Sequence, residues 1–251
     1  MKSVIPRKAA SDICAPGCYL PHLCSGRRTD CLMRPKAYYP IFTDLNGRRC
    51  VVIGGGMIAQ RKVTTLLSYG AKITVVSPTL TARLKRYAAA GKIASVRRKF
   101  RPADLSGAWL VYASTDDQAI NERVFATASR GRIFTNVVDQ GPLCSFIAPA
   151  ILRKDPLTIA ISTGGASPSV AKRLRAELSE SIGVDYPRLL RLLRDMRGVA
   201  KKVLPKYGDR KVFFDSLVRG RVFDLVREGK LGMAKKEALA QLERFAEKNG
   251  A

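Results

Sequence analysis

An apolar strand that runs straight into three glycines and out again into a helix leaves a chain few folds to choose from. Cys50–Ile53 is short and apolar, and Gly54, Gly55 and Gly56 follow at once. From Met57 to Tyr69, Ile58, Val63, Leu66 and Leu67 recur at helical spacing. Glycines at such a junction allow a tight turn and a close backbone approach to a pyrophosphate. The charge of the pyrophosphate then sits on free N–H groups at the helix N-terminus. The third small position of the pattern is Ala59, which still lets the helix pack closely on the strand. A purely structural turn is the competing reading; the strand–turn–helix context favours a nucleotide.

The alternation continues along the chain. Ile73–Val76, Ile93–Val96, Trp109–Ala113 and Ile133–Val137 read as strands, with Leu80–Ala89 and Gln118–Ala128 as helices between them. This predicts an α/β fold whose first part is a Rossmann-like parallel-sheet domain over residues 38–150. After Pro149 the pattern changes to a strand at Leu157–Ser162, the loop TGGASPS and a basic amphipathic helix from Val170 to Leu178. Residues 151–185 are set apart as a segment of their own. From residue 186 three helical blocks, the middle one being KVFFDSLVRGRVFDLV, predict a small helical C-terminal domain over 186–251.

Ligands of open α/β sheets collect beyond the carboxyl ends of the strands. The second strand ends on Ser77, Pro78 and Thr79 rather than on a ribose-binding acid, so the motif leaves NAD and NADP both open. Arg83, Lys85 and Arg86 are cations for a 2′-phosphate or, more blandly, solvated surface. The fourth strand leads into Ser114, Thr115, Asp116, Asp117 and Asn121, and the fifth into Asn136, Asp139, Cys144 and Ser145. Asp139, expected in an apolar neighbourhood, is the candidate for proton transfer; a turn-capping Asp before Gly141-Pro142 is the alternative. Farther on, Ser162, Thr163 and Ser167 precede Lys172, Arg173 and Arg175. That loop suits carboxylate binding, or is a plain capped helix.

Charge narrows the partners without choosing one. The 251 residues carry 45 Lys and Arg against 20 Asp and Glu, for a net +25. The excess is spread, at +5 over residues 1–37, +11 over 38–165 and +9 over 166–251, so it is not a detachable cationic arm. Nucleic acid, an anionic membrane surface and a polyanionic small molecule would each answer such a charge. No apolar run approaches the ~20 residues of a membrane span, and the start lacks the apolar stretch of a secretory leader. A cytoplasmic protein without membrane partners is the expectation, with its cysteines read as thiols.

The ordered motifs YPIF-x-DL-x-GR-x-CVVIGGG-x-IA-x-RK, GA-x-ITVVSP, ASTDD-x-x-IN, NVVD, SFIAPA and ISTGGASP-x-x-A resemble the precorrin-2 dehydrogenase family, also found fused in sirohaem synthases. The resemblance covers about residues 38–180. It implies NAD-dependent oxidation of precorrin-2 to sirohydrochlorin, on the way to sirohaem or cobalamin. It also implies a homodimer formed through the segment after residue 150, which makes residues 151–185 a dimerisation and substrate-site segment; Ile151-Leu152 and Leu189-Leu190 offer apolar faces. By the same resemblance Gly54, Gly55, Gly56, Met57, Ile58, Pro78, Thr79 and Thr115 bind the cofactor. Asp139 is the catalytic acid–base, and Asn136, Ser145, Thr163 and Ser167 line the substrate site, Thr163 standing where fused relatives have serine. Some relatives also insert metal into sirohydrochlorin, so Fe(II) or Co(II) is a partner only if this chain is a chelatase. A chain of this length implies the stand-alone form.

Cys14, Cys18, Cys24 and Cys31, with His22 among them, lie outside the resemblance. Their C-x3-C-x5-C-x6-C spacing is not the paired C-x-x-C of zinc sites, so an irregular extension with incidental thiols is preferred to a zinc or iron–sulfur centre. A nucleic-acid-binding protein would explain the charge but not the motifs at successive strand ends. An NAD-binding protein with a dead site is the other alternative.

Overall fold

Strands apolar on both faces belong inside a sheet covered on both sides. A computed structural model describes residues 37–248, in two compact units parted between Ala148 and Pro149. Cys14, Cys18, Cys24 and Cys31 lie outside the described residues.

In the first unit β1 (Arg49–Ile53), β2 (Lys72–Val76), β3 (Ala94–Val96), β4 (Leu110–Ala113) and β5 (Phe134–Val137) form one sheet of order β3-β2-β1-β4-β5. Every pairing is parallel. Helices α1 (Met57–Leu67), α2 (Ala82–Ala89) and α3 (Gln118–Arg130) are the crossovers. The two-residue period of a strand divides the core. Cys50, Val52, Ile73, Val75, Leu110 and Tyr112 pack with Ala59, Val63 and Leu66 of α1 and Leu84 of α2. Val51, Ile53, Val76, Val111 and Ala113 pack with Val124 and Ala128 of α3. Each such aliphatic side chain removed from water contributes about 1.5–3 kcal/mol. Cys50 is a core thiol, as expected, and burial pushes its pKa up to about 11.

The sheet order reverses at β1, which has β2 on one side and β4 on the other. The carboxyl ends of β1 and β4 therefore open a crevice at the switch point, because the crossovers leave them in opposite directions.

The second unit holds β6 (Ala150–Lys154) and β7 (Leu157–Ile161), an antiparallel pair turning at a cis Asp155–Pro156 bond. Five helices follow: α4 (Pro168–Ser181), α5 (Asp185–Val203), α6 (Tyr207–Arg219), α7 (Arg221–Arg227) and α8 (Leu231–Lys248). Lys154 donates to the carbonyls of Ser179 (2.7 Å) and Ile182 (2.5 Å), placing a cation on the negative end of α4. Two expectations change here. The middle helical block is two helices, because at Gly220 a Cβ would stand 2.8 Å from the Ser216 carbonyl oxygen and the chain turns extended there. Leu152 and Leu189, expected on an apolar face, are both buried. Leu189 packs in the helical core with Phe213 and Leu217, while Ile151 and Leu190 remain half-buried.

Phe213 is fully buried, with its ring 5.2 Å from that of Phe214 and 5.7 Å from that of Phe245. Phe213→Ala is expected to destabilise the helical unit by about 3–5 kcal/mol, read by urea unfolding. A loss under about 1 kcal/mol would mean that this ring is not its centre.

Candidate active site

The glycine loop is shaped by what stands against it. Gly54 has φ of 115°, and a Cβ there would meet the Ser114 carbonyl oxygen at 2.6 Å. At Gly55 a Cβ would fall 1.9 Å from the Thr79 carbonyl oxygen and 2.9 Å from Ser77 Oγ. No side chain fits at either position. The loop is pinned by Gly54 N–H on the Val76 carbonyl (3.0 Å) and by Thr81 N–H on the Gly55 carbonyl (3.0 Å). Gly56 differs: its Cβ would meet nothing within 4 Å, so its bare face looks onto open space.

That space is a cleft of about 590 Å³ lined by Gly54–Ile58, Ser77–Thr79 and the Ser114–Asp117 loop, with Arg98 and Lys99 on its wall. Gly56 caps α1 without a side-chain hydrogen bond, and no acidic residue sits in the first turn. The helix start thus presents N–H groups and positive dipole to an anion. Bare glycine, uncapped helix and open cleft together fit a dinucleotide pyrophosphate. All eight residues expected to bind the cofactor line this one cleft. Thr115 donates its hydroxyl to Asn121 Oδ1 (2.8 Å), and buried Asn121 returns a bond to the Thr115 carbonyl (2.9 Å). Asp117 accepts from Ile120 N–H (3.1 Å) and caps α3.

Asp139 lies in the turn after β5 with φ of 59°. It lines a more open groove of about 460 Å³ with Gln118, Glu122, Gln140, Pro142 and Leu143. The apolar neighbourhood expected for it is not found: the residue is exposed, because the turn carries it past the end of the sheet. Asn136 is buried and donates to the Phe146 carbonyl (3.0 Å), while Ser145 Oγ accepts from Thr135 N–H (2.8 Å). Both side chains tie the strand to the segment that follows it. Cys144 is buried with its thiol directed at the Val137 carbonyl (3.2 Å).

Thr163 and Ser167 belong to the second unit. Thr163 donates to the Ser167 carbonyl (3.1 Å) and accepts from Ser167 N–H (3.2 Å), and Ser167 Oγ accepts from Val170 N–H (3.3 Å). These hydroxyls build a capped turn at the start of α4, in which Gly164 and Gly165 take positive φ.

Two features escaped the sequence reading. Lys62, in the RK pair of α1, is half-buried with Nζ 4.8 Å from the Tyr112 ring centroid. Burial pulls its ammonium below the ordinary lysine range and Arg61 adds to this, whereas Asp139 and Cys144 draw it back up. Lys62 is thus a cation within electrostatic reach of Asp139. Arg98 and Lys99 line the cleft, whereas Arg83, weighed for a 2′-phosphate against plain solvated surface, is turned to the Tyr87 hydroxyl (3.0 Å) and does not line it. Among the described residues no three His, Cys, Asp or Glu side chains converge as metal ligands.

Gly55→Ala is expected to cost about 1–3 kcal/mol of stability through overpacking. Gly56→Ala should leave stability nearly unchanged and weaken dinucleotide binding, since its methyl enters only the cleft. Calorimetry on both variants separates the two, and an unaltered affinity in folded Gly56→Ala would refute the placement. The Arg98–Asp104 pair gives a pH signature. Hydrogen bonds from Arg98, helped by Arg101 N–H, hold the Asp104 carboxyl below its ordinary range against its burial. The stability this contributes is complete above the ordinary carboxylate pKa and is lost as pH falls through the lower folded value. Asp104→Asn should therefore be less stable than the parent at neutral pH, with the two converging on acidification. Equal stability at neutral pH would contradict this.

Three family models match in succession: "Putative NAD(P)-binding" over residues 41–150, "Sirohaem biosynthesis protein central" over 154–181 and "Sirohaem synthase dimerisation region" over 185–242. The chain is 37% identical over 210 residues to siroheme synthase 1 of Serratia proteamaculans, covering 84% of this chain and 44% of that protein. It is 39% identical over 214 residues to siroheme synthase of Nitrosospira multiformis, covering 84% and 45%. It therefore spans less than half the length of these curated relatives. Among solved structures it resembles SirC, precorrin-2 dehydrogenase, with a TM-score of 0.66 and 28% identity over 82% of this chain and 100% of that one. The NAD-binding, sirohaem-biosynthesis central and sirohaem-synthase dimerisation matches thus follow one another along this chain in that order.

Proposed function

We propose that this chain oxidises precorrin-2 to sirohydrochlorin with NAD as the electron acceptor. The observation that carries the reading is the cleft at the β1/β4 switch point, where Gly56 leaves open space against an uncapped helix. The likeness to SirC over the whole length of that protein supports it.

NAD, when bound, accepts two electrons and one proton from a reduced ring position of the substrate. The chain's residues supply placement and the remaining proton transfer. Gly54–Ile58 would hold the pyrophosphate at the start of α1, with Pro78 and Thr79 toward the adenosine and Thr115 opposite them, all in the lining of the cleft. Asp139, exposed at the end of β5, takes the second proton released as the ring is oxidised, directly or through water. Lys62 holds positive charge near that carboxylate and suits an acidic substrate edge. Asn136 and Ser145 shape the strand end beside Asp139 through their backbone bonds.

The +25 charge fits a polycarboxylate tetrapyrrole, although most of the cations are solvated surface. The reading includes a homodimer formed through the 149–251 unit, which contains the dimerisation-region match. It places the protein in the cytoplasm; among the described residues no helix is long and apolar enough to cross a membrane.

Purified protein given precorrin-2 and NAD should yield NADH and sirohydrochlorin in equal amounts. Asp139→Asn should slow turnover by about 100-fold or more while still binding NAD. An undiminished rate in that variant would remove Asp139 from the proton transfer. Cofactor binding without turnover by the parent protein would favour a dead site instead.

A further inference from the structure

The wall of the cleft beyond β2 and β3 carries polar groups that the dehydrogenase reading does not use. Ser77 occupies the place where an acid would hold the ribose hydroxyls of NAD. It is 6% exposed, lines the cleft, and its hydroxyl has no hydrogen-bond partner among the described residues. Its N–H binds the Val96 carbonyl (3.1 Å), which brings the segment after β3 alongside it. That segment is Arg97-Arg98-Lys99, and Arg98 and Lys99 line the same cleft.

Arg98 is held in place. Nη1 donates to Asp104 Oδ2 (2.8 Å) and the Lys99 carbonyl (3.0 Å), and Nη2 donates to Asp104 Oδ1 (2.6 Å). A guanidinium has five N–H donors in a planar fork. Among the described residues these bonds leave Nε–H and the second Nη2–H, the adjacent pair that grips an oxyanion side-on. Lys99 is exposed and has no acidic partner among the described residues. The cleft's own carboxylates, Asp116 and Asp117, follow β4, on the far side of β1 from β2. The adenosine side of the cleft is thus without a carboxylate and offers a hydroxyl, half a guanidinium and an ammonium.

We propose that the cleft also takes NADP, with its 2′-phosphate held by Lys99, the open side of Arg98 and the Ser77 hydroxyl. The proposal rests on the nucleotide-binding reading of the cleft and extends its cofactor range. Asp104 acts as a positioning residue, because it aims the guanidinium without touching the nucleotide.

Calorimetric titration of the full chain with NAD, NADP and adenosine 2′,5′-bisphosphate tests this without turnover. NADP should bind within about tenfold of NAD, and the bisphosphate should compete with both. Lys99→Glu should lower the NADP-to-NAD affinity ratio by about tenfold or more, as loss of a charge-assisted contact requires. Lys85→Glu, which removes an exposed cation outside the cleft lining, should leave that ratio within about twofold. Binding of NAD with NADP more than about tenfold weaker overturns the proposal alone. So does an equal fall of the ratio in Lys85→Glu, which would make the attraction one of overall charge. If neither dinucleotide binds, the nucleotide-binding reading falls and the proposal with it.

Discussion

Two carbonyl oxygens stand where side chains at Gly54 and Gly55 would have to go. The Ser114 carbonyl closes on the first and the Thr79 carbonyl on the second, so the loops after β1, β2 and β4 meet at backbone distance. This close approach makes a cleft rather than a filled junction. The end of β1 can lie between its neighbours only without Cβ atoms, and the free start of α1 is then aimed into the opening. A residue larger than glycine at either position would push the loops apart and move the candidate pyrophosphate seat with them.

Around that seat the polar groups divide by task. Thr115, Asn121 and Asp117 are bonded to one another or to backbone and give the β4 loop its shape. Asn136 and Ser145 do the same past β5. The groups left for ligands are fewer: Ser77, Lys99, the open edge of Arg98, Asp139 and Lys62. A buried or half-buried polar atom whose bonds are complete holds architecture, whereas one with spare capacity can exchange it for a ligand.

Legibility followed the range of the interactions involved. The glycine loop, the strand periodicity and the helices could be read because each depends on neighbours within a few residues. Val51 and Val52 were legible as core, and their assignment to opposite faces follows from the two-residue period. The strand Ala150–Lys154 was not legible, since it exists by pairing with Leu157–Ile161 and its sequence AILRK has no sustained alternation. The break at Gly220 was hidden too, because glycine within an apolar helical pattern is tolerated until a neighbouring carbonyl, here that of Ser216, forbids anything else. Asp139 was placed at the right strand end but in the wrong environment, since burial depends on what packs over a turn.

The sequence by itself determined the class of fold, the order of its segments and the position of the nucleotide loop. Those properties are written in local spacing and in the absence of side chains at Gly54 and Gly55. Only the tertiary structure decided which cations face the cleft, because Arg98 and Lys99 reach it through the β2–β3 pairing while Arg83 turns to Tyr87. It also decided that Leu189 serves the interior of the helical unit. Which face a side chain covers is settled by packing between elements distant in sequence, and no local pattern carries that information.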